Sequence, residues 1–182
     1  TSITDRSTDH EGVQWRRCDL FDSDDITRSL EGVDLLIYLV HSMSPQSRLT
    51  QARFEDLDLL LADNVRIATE RAGVRHIVYL GGLGVNDENV QRSRHLDSRY
   101  EVGQVLEDGS ASLTEFRAGL VIGAGGSSFR MLIRLIRRLP LMALPRWTKT
   151  PTQPISVNDI IRAFETVVDS PDEWVGAFDL GI

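Results

Sequence analysis

Apolar residues fall along the chain in short runs and in helical stripes, with glycine or proline at most of the changeovers. Residues 1–12 are mainly polar and read as a tail or loop. Val13 to Cys18 predicts a short strand, followed by Asp19-Leu20. Ser23-Asp24-Asp25 predicts a helix start, with Ile26 and Leu30 on one face and Gly32 as the stop. Val33 to Val40 is almost continuously apolar, the pattern of a strand buried on both faces of a parallel sheet. His41 to Pro45 breaks it. From Leu49 to Ala72 the pattern is helical, with Ala52, Leu59, Leu60, Asn64, Ile67, Ala68 and Arg71 on one stripe and Gly73 as the end.

The second half repeats this alternation. Arg75 to Leu80 predicts a strand that meets Gly81-Gly82-Leu83-Gly84, and Asn86 to Arg94 a loop. His95 to Leu106 predicts a helix, and Ser112 to Ile122 a strand. Phe129 to Leu139 predicts an amphipathic helix, with Leu132, Leu135, Ile136 and Leu139 on one side and four arginines on another. Gln153 to Val157 is extended, Asn158 or Asp159 caps a helix through about Asp169, and Ala177 to Leu180 predicts a last strand. Strands and helices alternating at this spacing predict an α/β fold, a doubly wound parallel sheet. The domain is read as residues 13–182.

Composition narrows the function classes. The formal net charge is −7, which argues against a general nucleic-acid binder. Cys18 is the only cysteine, so neither an internal disulfide nor a cysteine-based zinc site can form, and it reads as a small core residue. No His, Asp or Glu spacing reads as a metal site. No apolar run reaches the ~18–20 residues of a membrane span. A reducing, cytoplasmic setting is the default expectation. The Arg-rich helix 129–139 reads first as a solvated face, then as a lid, and last as a membrane contact. Helix 49–72 suits either the sheet or a homodimer.

In open α/β sheets, ligands bind beyond the carboxyl ends of the strands. That rule selects Asp19-Leu20, Leu39-Val40-His41-Ser42, Leu80-Gly81-Gly82 and Arg117-Ala118-Gly119. Glycine there allows close approach of a flat ligand or a phosphate, or simply a tight turn. Gly123 to Ser128 is rejected as a dinucleotide loop. It lacks the third glycine and comes late in the chain.

Gly32-Val33-Asp34, Asn64, Ala72 to Leu80 and Arg117-Ala118-Gly119 occur in an order that resembles the atypical and extended short-chain dehydrogenase/reductase superfamily. The likeness is greatest to NmrA-like and sugar-epimerase-like NAD(P)-binding proteins. Tyr38 to Met43, Tyr79 to Leu83, His95 to Arg99 and Gln153-Pro154-Ile155 resemble a bacterial subfamily of that group. The resemblance implies a Rossmann-like domain that binds NAD or NADP, with a small-molecule substrate as a further partner. It implies that Asp19 and Leu20 meet the adenine, and that Leu39, Val40 and His41 line the adenine ribose and pyrophosphate. It puts Asn64 under the active site and Gly81 and Gly82 beside the nicotinamide, where active members carry a serine. His95 and Arg99 stand at the Tyr and Lys of Tyr-x-x-x-Lys, and Arg117, Ala118 and Gly119 near the nicotinamide amide.

The departures from the family are equally specific. Tyr38, Tyr79 and Tyr100 have no lysine four residues later, and Lys149 is the only lysine. The family's first strand and Gly-rich phosphate loop are expected before residue 1, which reads as an N-terminal truncation. Two functions stay open. One is a protein that binds or senses the dinucleotide with a degenerate active site. The other is an NAD(P)-dependent oxidoreductase, epimerase or isomerase in which His95 and Arg99 replace Tyr and Lys.

Overall fold

The computed structural model describes residues 12–41, 54–83, 94–123, 133–134 and 153–181, with side chains from Asp56 in the second stretch and from Leu96 in the third. The elements are α1 (Ser23–Ser29), β1 (Leu35–Tyr38), α2 (Phe54–Ala72), β2 (His76–Gly82), α3 (Arg94–Glu107), β3 (Ser112–Ala118), β4 (Leu120–Ile122), β5 (Pro154–Ser156), α4 (Val157–Asp169), a 3-10 turn (Pro171–Glu173) and β6 (Gly176–Leu180). Four strands form a parallel sheet in the order β1-β2-β3-β6, and β4 and β5 form a second, two-stranded one. The fold is α/β and Rossmann-like.

The period-two alternation of the strands supplies both faces of the sheet. Ile77, Tyr79 and Leu113 point to one face and join Ile26, Ala62, Val65, Ala68, Val102 and Leu106 from α1, α2 and α3 in one core. Val78 and Phe116 point to the other and meet Val167, with Phe164, Trp174 and Phe178 packed around them. Strands clad on both sides favour apolar residues at every position, as in Ile77 to Leu80 of β2, whereas β3 sets Thr114, Glu115 and Arg117 among Leu113, Phe116 and Ala118 and pairs each of these polar groups.

Several elements depart from the sequence pattern. Val13 to Cys18 forms no strand, because no described strand lies beside it to complete a ladder. Among the described strands β1 lies at the sheet edge, with Ile37 37% exposed, so it is less buried there than its composition suggests. The buried stripe of α2 is Asp58, Leu61, Ala62, Val65, Ala68 and Thr69, rotated from the expected one, and Leu60 is 47% exposed. The run Ser112 to Ile122 breaks at Gly119, where β3 ends and β4 leaves to pair with β5. Gly119 is required there: a Cβ would stand 2.5 Å from the Gln153 carbonyl oxygen. Ser156, not Asn158 or Asp159, caps α4, its hydroxyl accepting from both of their N–H groups. Asp22 caps α1 in the same way. The Arg-rich segment 129–139, apart from Ile133 and Arg134, and the loop 124–128 lie outside the described residues.

One buried polar chain ties β2, β3 and the 3-10 turn together. The Thr114 hydroxyl donates to the Trp174 carbonyl oxygen, so its proton is committed. His76 Nε2, 2.7 Å from Thr114 Oγ1, must therefore be the donor to it. That fixes the neutral Nε2–H tautomer and leaves Nδ1 as a buried lone pair with no partner among the described residues. Burial lowers the His76 pKa below its ordinary 6.5, against a smaller opposing pull from Asp172. The unfolded chain then binds more protons than the folded one below that value, so stability falls as the pH drops through 6.5. His76→Gln keeps a donor but removes the titration. Thermal melts between pH 7.5 and 5 should show a shallower acid slope in this variant, with about 1 kcal/mol lost at neutral pH. Equal slopes would take His76 out of the acid response.

Candidate functional site

Because β1, β2 and β3 run parallel, their carboxyl ends share one edge of the sheet. The ladder sets Tyr38 opposite Tyr79, Gly81 opposite Arg117 and Gly82 opposite Ala118. The Leu83 N–H closes the end of β2 onto the Ala118 carbonyl oxygen at 2.9 Å. Beyond β1 the chain continues through exposed Leu39, half-buried Val40 and exposed His41. Gly119 is exposed at the end of β3.

α3 lies across these ends. Arg99 Nη1 donates to the Leu80 carbonyl oxygen at 3.0 Å, and the Tyr79 hydroxyl donates to the Arg99 carbonyl oxygen at 3.1 Å. These bonds fix the helix to the last turn of β2. Arg99 Nε and the hydroxyl oxygen of Ser98 are buried beside them with no partner among the described residues. His95 belongs to the first turn of α3, but its side chain lies outside the described residues.

The two glycines of β2 are filled by the protein itself. A Cβ on Gly82 would stand 2.8 Å from Leu96 Cδ2, and one on Gly81 would stand 2.8 Å from Glu115 Oε1. The same carboxylate would lie 3.0 Å from a Cβ on Gly103 of α3. Glu115, only 6% exposed in the middle of β3, is thus seated between two glycines. Its charge is met by Arg117, whose Nε and Nη2 both reach Oε2, at 3.0 and 2.7 Å. The Arg117 guanidinium also lies 5.9 Å from the centre of the Tyr100 ring. The close approach that glycine permits here is to Glu115 and Leu96.

The tyrosines beneath the strand ends are held neutral. Burial raises the Tyr38 hydroxyl pKa far above its ordinary value, and the charge of Asp58 adds to this. Burial likewise pushes Tyr79 up to about 12, with Arg99 pulling the other way. The two rings are 6.0 Å apart. Structure therefore brings an arginine to two tyrosines that sequence spacing kept apart, but neither phenol ionises near neutral pH.

Asp19, Leu20 and Asn64 form a separate group. Asn64 Nδ2 donates to the Leu20 carbonyl oxygen at 3.1 Å, so it braces the Asp19-Leu20 turn. The turn is further closed by the Phe21 N–H to Asp19 Oδ1 at 3.0 Å and the Asp19 N–H to Asp25 Oδ2 at 2.7 Å. Asp25 is held below its ordinary pKa by that N–H and then by Arg28. No hydrogen bond or ion pair among the described residues joins this group to the β2–β3 end.

Gly81, Gly82, Arg99, Arg117 and Ala118 are thus assembled in one place, and Glu115, Asp58, Ser98 and Gly103 join them unannounced by the sequence. The one available signal was an acidic residue in a run otherwise fit for a buried strand. Toward a dinucleotide, the donor that stays available is Arg117 Nη1, which makes no hydrogen bond among the described residues, whereas Arg99 Nε is buried. A guanidinium edge of this kind fits a ribose or carboxamide oxygen. Among the described residues no His, Cys, Asp or Glu cluster can hold a metal ion, and no helix is long and apolar enough to cross a membrane.

Residues 2–119 match the NAD(P)H-binding family. The auxiliary protein GraX of Staphylococcus aureus is 24% identical over 87 residues, 48% of this chain and 28% of GraX. A UDP-glucose 4-epimerase from Thermus thermophilus, in complex with NAD, superposes over 97% of this chain and 66% of its own, with a TM-score of 0.68 and 18% identity. A dTDP-glucose 4,6-dehydratase from Streptomyces venezuelae with NAD bound gives 0.68 and 14% over 90% of this chain and 56% of its own. A UDP-N-acetylglucosamine 4-epimerase from Bacillus cereus gives 0.66 and 15%, over 91% and 64%. The chain therefore spans about a quarter of GraX and less than two thirds of these three solved chains. At such identities the structures establish a shared fold and nothing finer. With its match over residues 2–119 and this Rossmann-like sheet, the chain belongs to the NAD(P)H-binding family.

Proposed function

We propose that the chain binds or senses NAD(P) through a degenerate active site and performs no hydride transfer of the serine–tyrosine–lysine kind. The observation that carries this reading is the seat of Glu115. Where catalytic relatives by resemblance place a serine, Gly81 leaves no room for a side chain, because Glu115 Oε1 occupies it. A free glutamate would swing aside, but this one is closed in by Gly103 and held by Arg117. The two phenols near Arg99 are buried and neutral, so they make poor bases.

In this reading Asp19 and Leu20 meet the adenine, and Leu39, Val40 and His41 line the ribose and pyrophosphate. Gly82, Arg99, Arg117, Ala118 and Gly119 face the nicotinamide half. Asn64 acts through Leu20 as a brace. A second reading is an oxidoreductase, epimerase or isomerase in which His95 and Arg99 stand in for the Tyr and Lys that the resemblance places there.

Three outcomes are expected. NADH or NADPH at a hundred times its dissociation constant stabilises the protein by about 2.7 kcal/mol, read as a thermal shift, while NADPH absorbance stays constant over a broad substrate panel. Reproducible NADPH oxidation with one substrate would favour the enzyme reading, and His95→Ala should then lower turnover with little change in cofactor affinity. Gly81→Ser should destabilise by about 1–3 kcal/mol in urea melts, since the hydroxymethyl group is forced against a clamped carboxylate. A neutral substitution would show that the seat is loose and remove the steric case.

A further inference from the structure

We propose that Glu115 is the positioning residue of this site. It holds Arg117 so that the remaining guanidinium edge meets a neutral carbonyl oxygen, the carboxamide of the bound dinucleotide. The inference rests on the nucleotide-binding reading above and adds to it the residue that sets the chemistry of this contact.

The geometry carries the argument in three steps. First, Glu115 is closely confined: its carboxylate is buried between Gly81 and Gly103, where an added Cβ would stand 2.8 and 3.0 Å from Oε1. Second, it fixes one edge of Arg117, with Nε and Nη2 converging on Oε2, while the Tyr100 ring lies beside the guanidinium. Nη1 makes no hydrogen bond among the described residues, and the Arg117 side chain is 24% exposed at the carboxyl end of β3, where ligands of open α/β sheets bind. Third, the charge at this point is already balanced. Glu115 is in contact, and Asp179 lies opposite Arg117 on β6. A phosphate or carboxylate arriving there meets two carboxylates for one guanidinium, so its attraction to Arg117 is largely cancelled. A neutral acceptor suffers no such repulsion and still takes the Nη1 hydrogen bond.

The test compares NADH with ADP-ribose, which has the same pyrophosphate but no nicotinamide. Calorimetric titration of the full chain is expected to show Arg117→Lys weakening NADH about tenfold while ADP-ribose changes less than twofold. Glu115→Gln should do the same, and the double variant should be no worse than Arg117→Lys alone, because the two residues act as one unit. The NADH to ADP-ribose affinity ratio should not change between low and high salt. Equal weakening of both ligands, additive losses in the double variant, or a ratio that collapses with salt would each overturn the proposal. If Glu115→Gln melts below the titration temperature, Glu115→Asp, which keeps the charge but draws it back from Arg117, carries the comparison, with the same selective loss for NADH expected and equal weakening of both ligands overturning the proposal. A parent protein that binds ADP-ribose as tightly as NADH overturns the carboxamide contact alone. One that binds neither overturns the nucleotide-binding reading and this inference with it.

Discussion

A carboxylate buried in the middle of a parallel strand is the constraint around which the β2–β3 end is organised. Removing a charge from water is expensive, and burial is tolerated only with a close opposite charge and a snug cavity. Arg117 supplies the charge, two residues along the same face of β3. Gly81 and Gly103 supply the cavity, one from the neighbouring strand and one from the helix above. Two further bonds tie α3 to the sheet beside it, Arg99 to the Leu80 carbonyl oxygen and Tyr79 to the Arg99 carbonyl oxygen. Elements far apart in sequence thus meet around one buried carboxylate.

The rest of the sheet obeys simpler rules. Its two faces are sorted by alternation, with small and branched residues of α2 and α3 on one side and an aromatic cluster around Phe116 on the other. The chemistry is confined to the strand ends and to the narrow His76–Thr114–Trp174 chain. That chain is remote from the site in composition and purpose: it links β2 and β3 to the turn that precedes β6.

Much of the fold was legible. The apolar run of β2, the places of β3 and β6, the stops at Gly32 and Gly73, and the parallel topology follow from local pattern. The errors have physical causes. Val13 to Cys18 has strand composition, but a strand exists only by pairing. The stripe of α2 was misjudged because Asp58 and Thr69 are buried and Leu60 is exposed, so polarity misled. The break at Gly119 depends on Gln153, a residue far down the chain. At the site, Gly81 and Gly82 were visible as strand-end glycines, but their purpose was not. Their neighbours, Glu115 and Leu96, come from other elements, and no window along the sequence contains the set. Arg117 stands out by its place at a strand end and Arg99 through the family resemblance, but Glu115 does not stand out as a site residue.

The β1-β2-β3-β6 ladder also governs how quickly the protein can form. Parallel neighbours cannot be joined by a hairpin, so every rung closes a long stretch of chain. The pairing of Thr114 with Gly176 spans about sixty residues, and such closures carry a chain-entropy cost before any contact rewards them. A domain wired in this way folds at a pace set by its topology more than by its stability. The aromatic layer under β6 has to wait for the longest of those closures, and until then its Phe and Trp side chains face water.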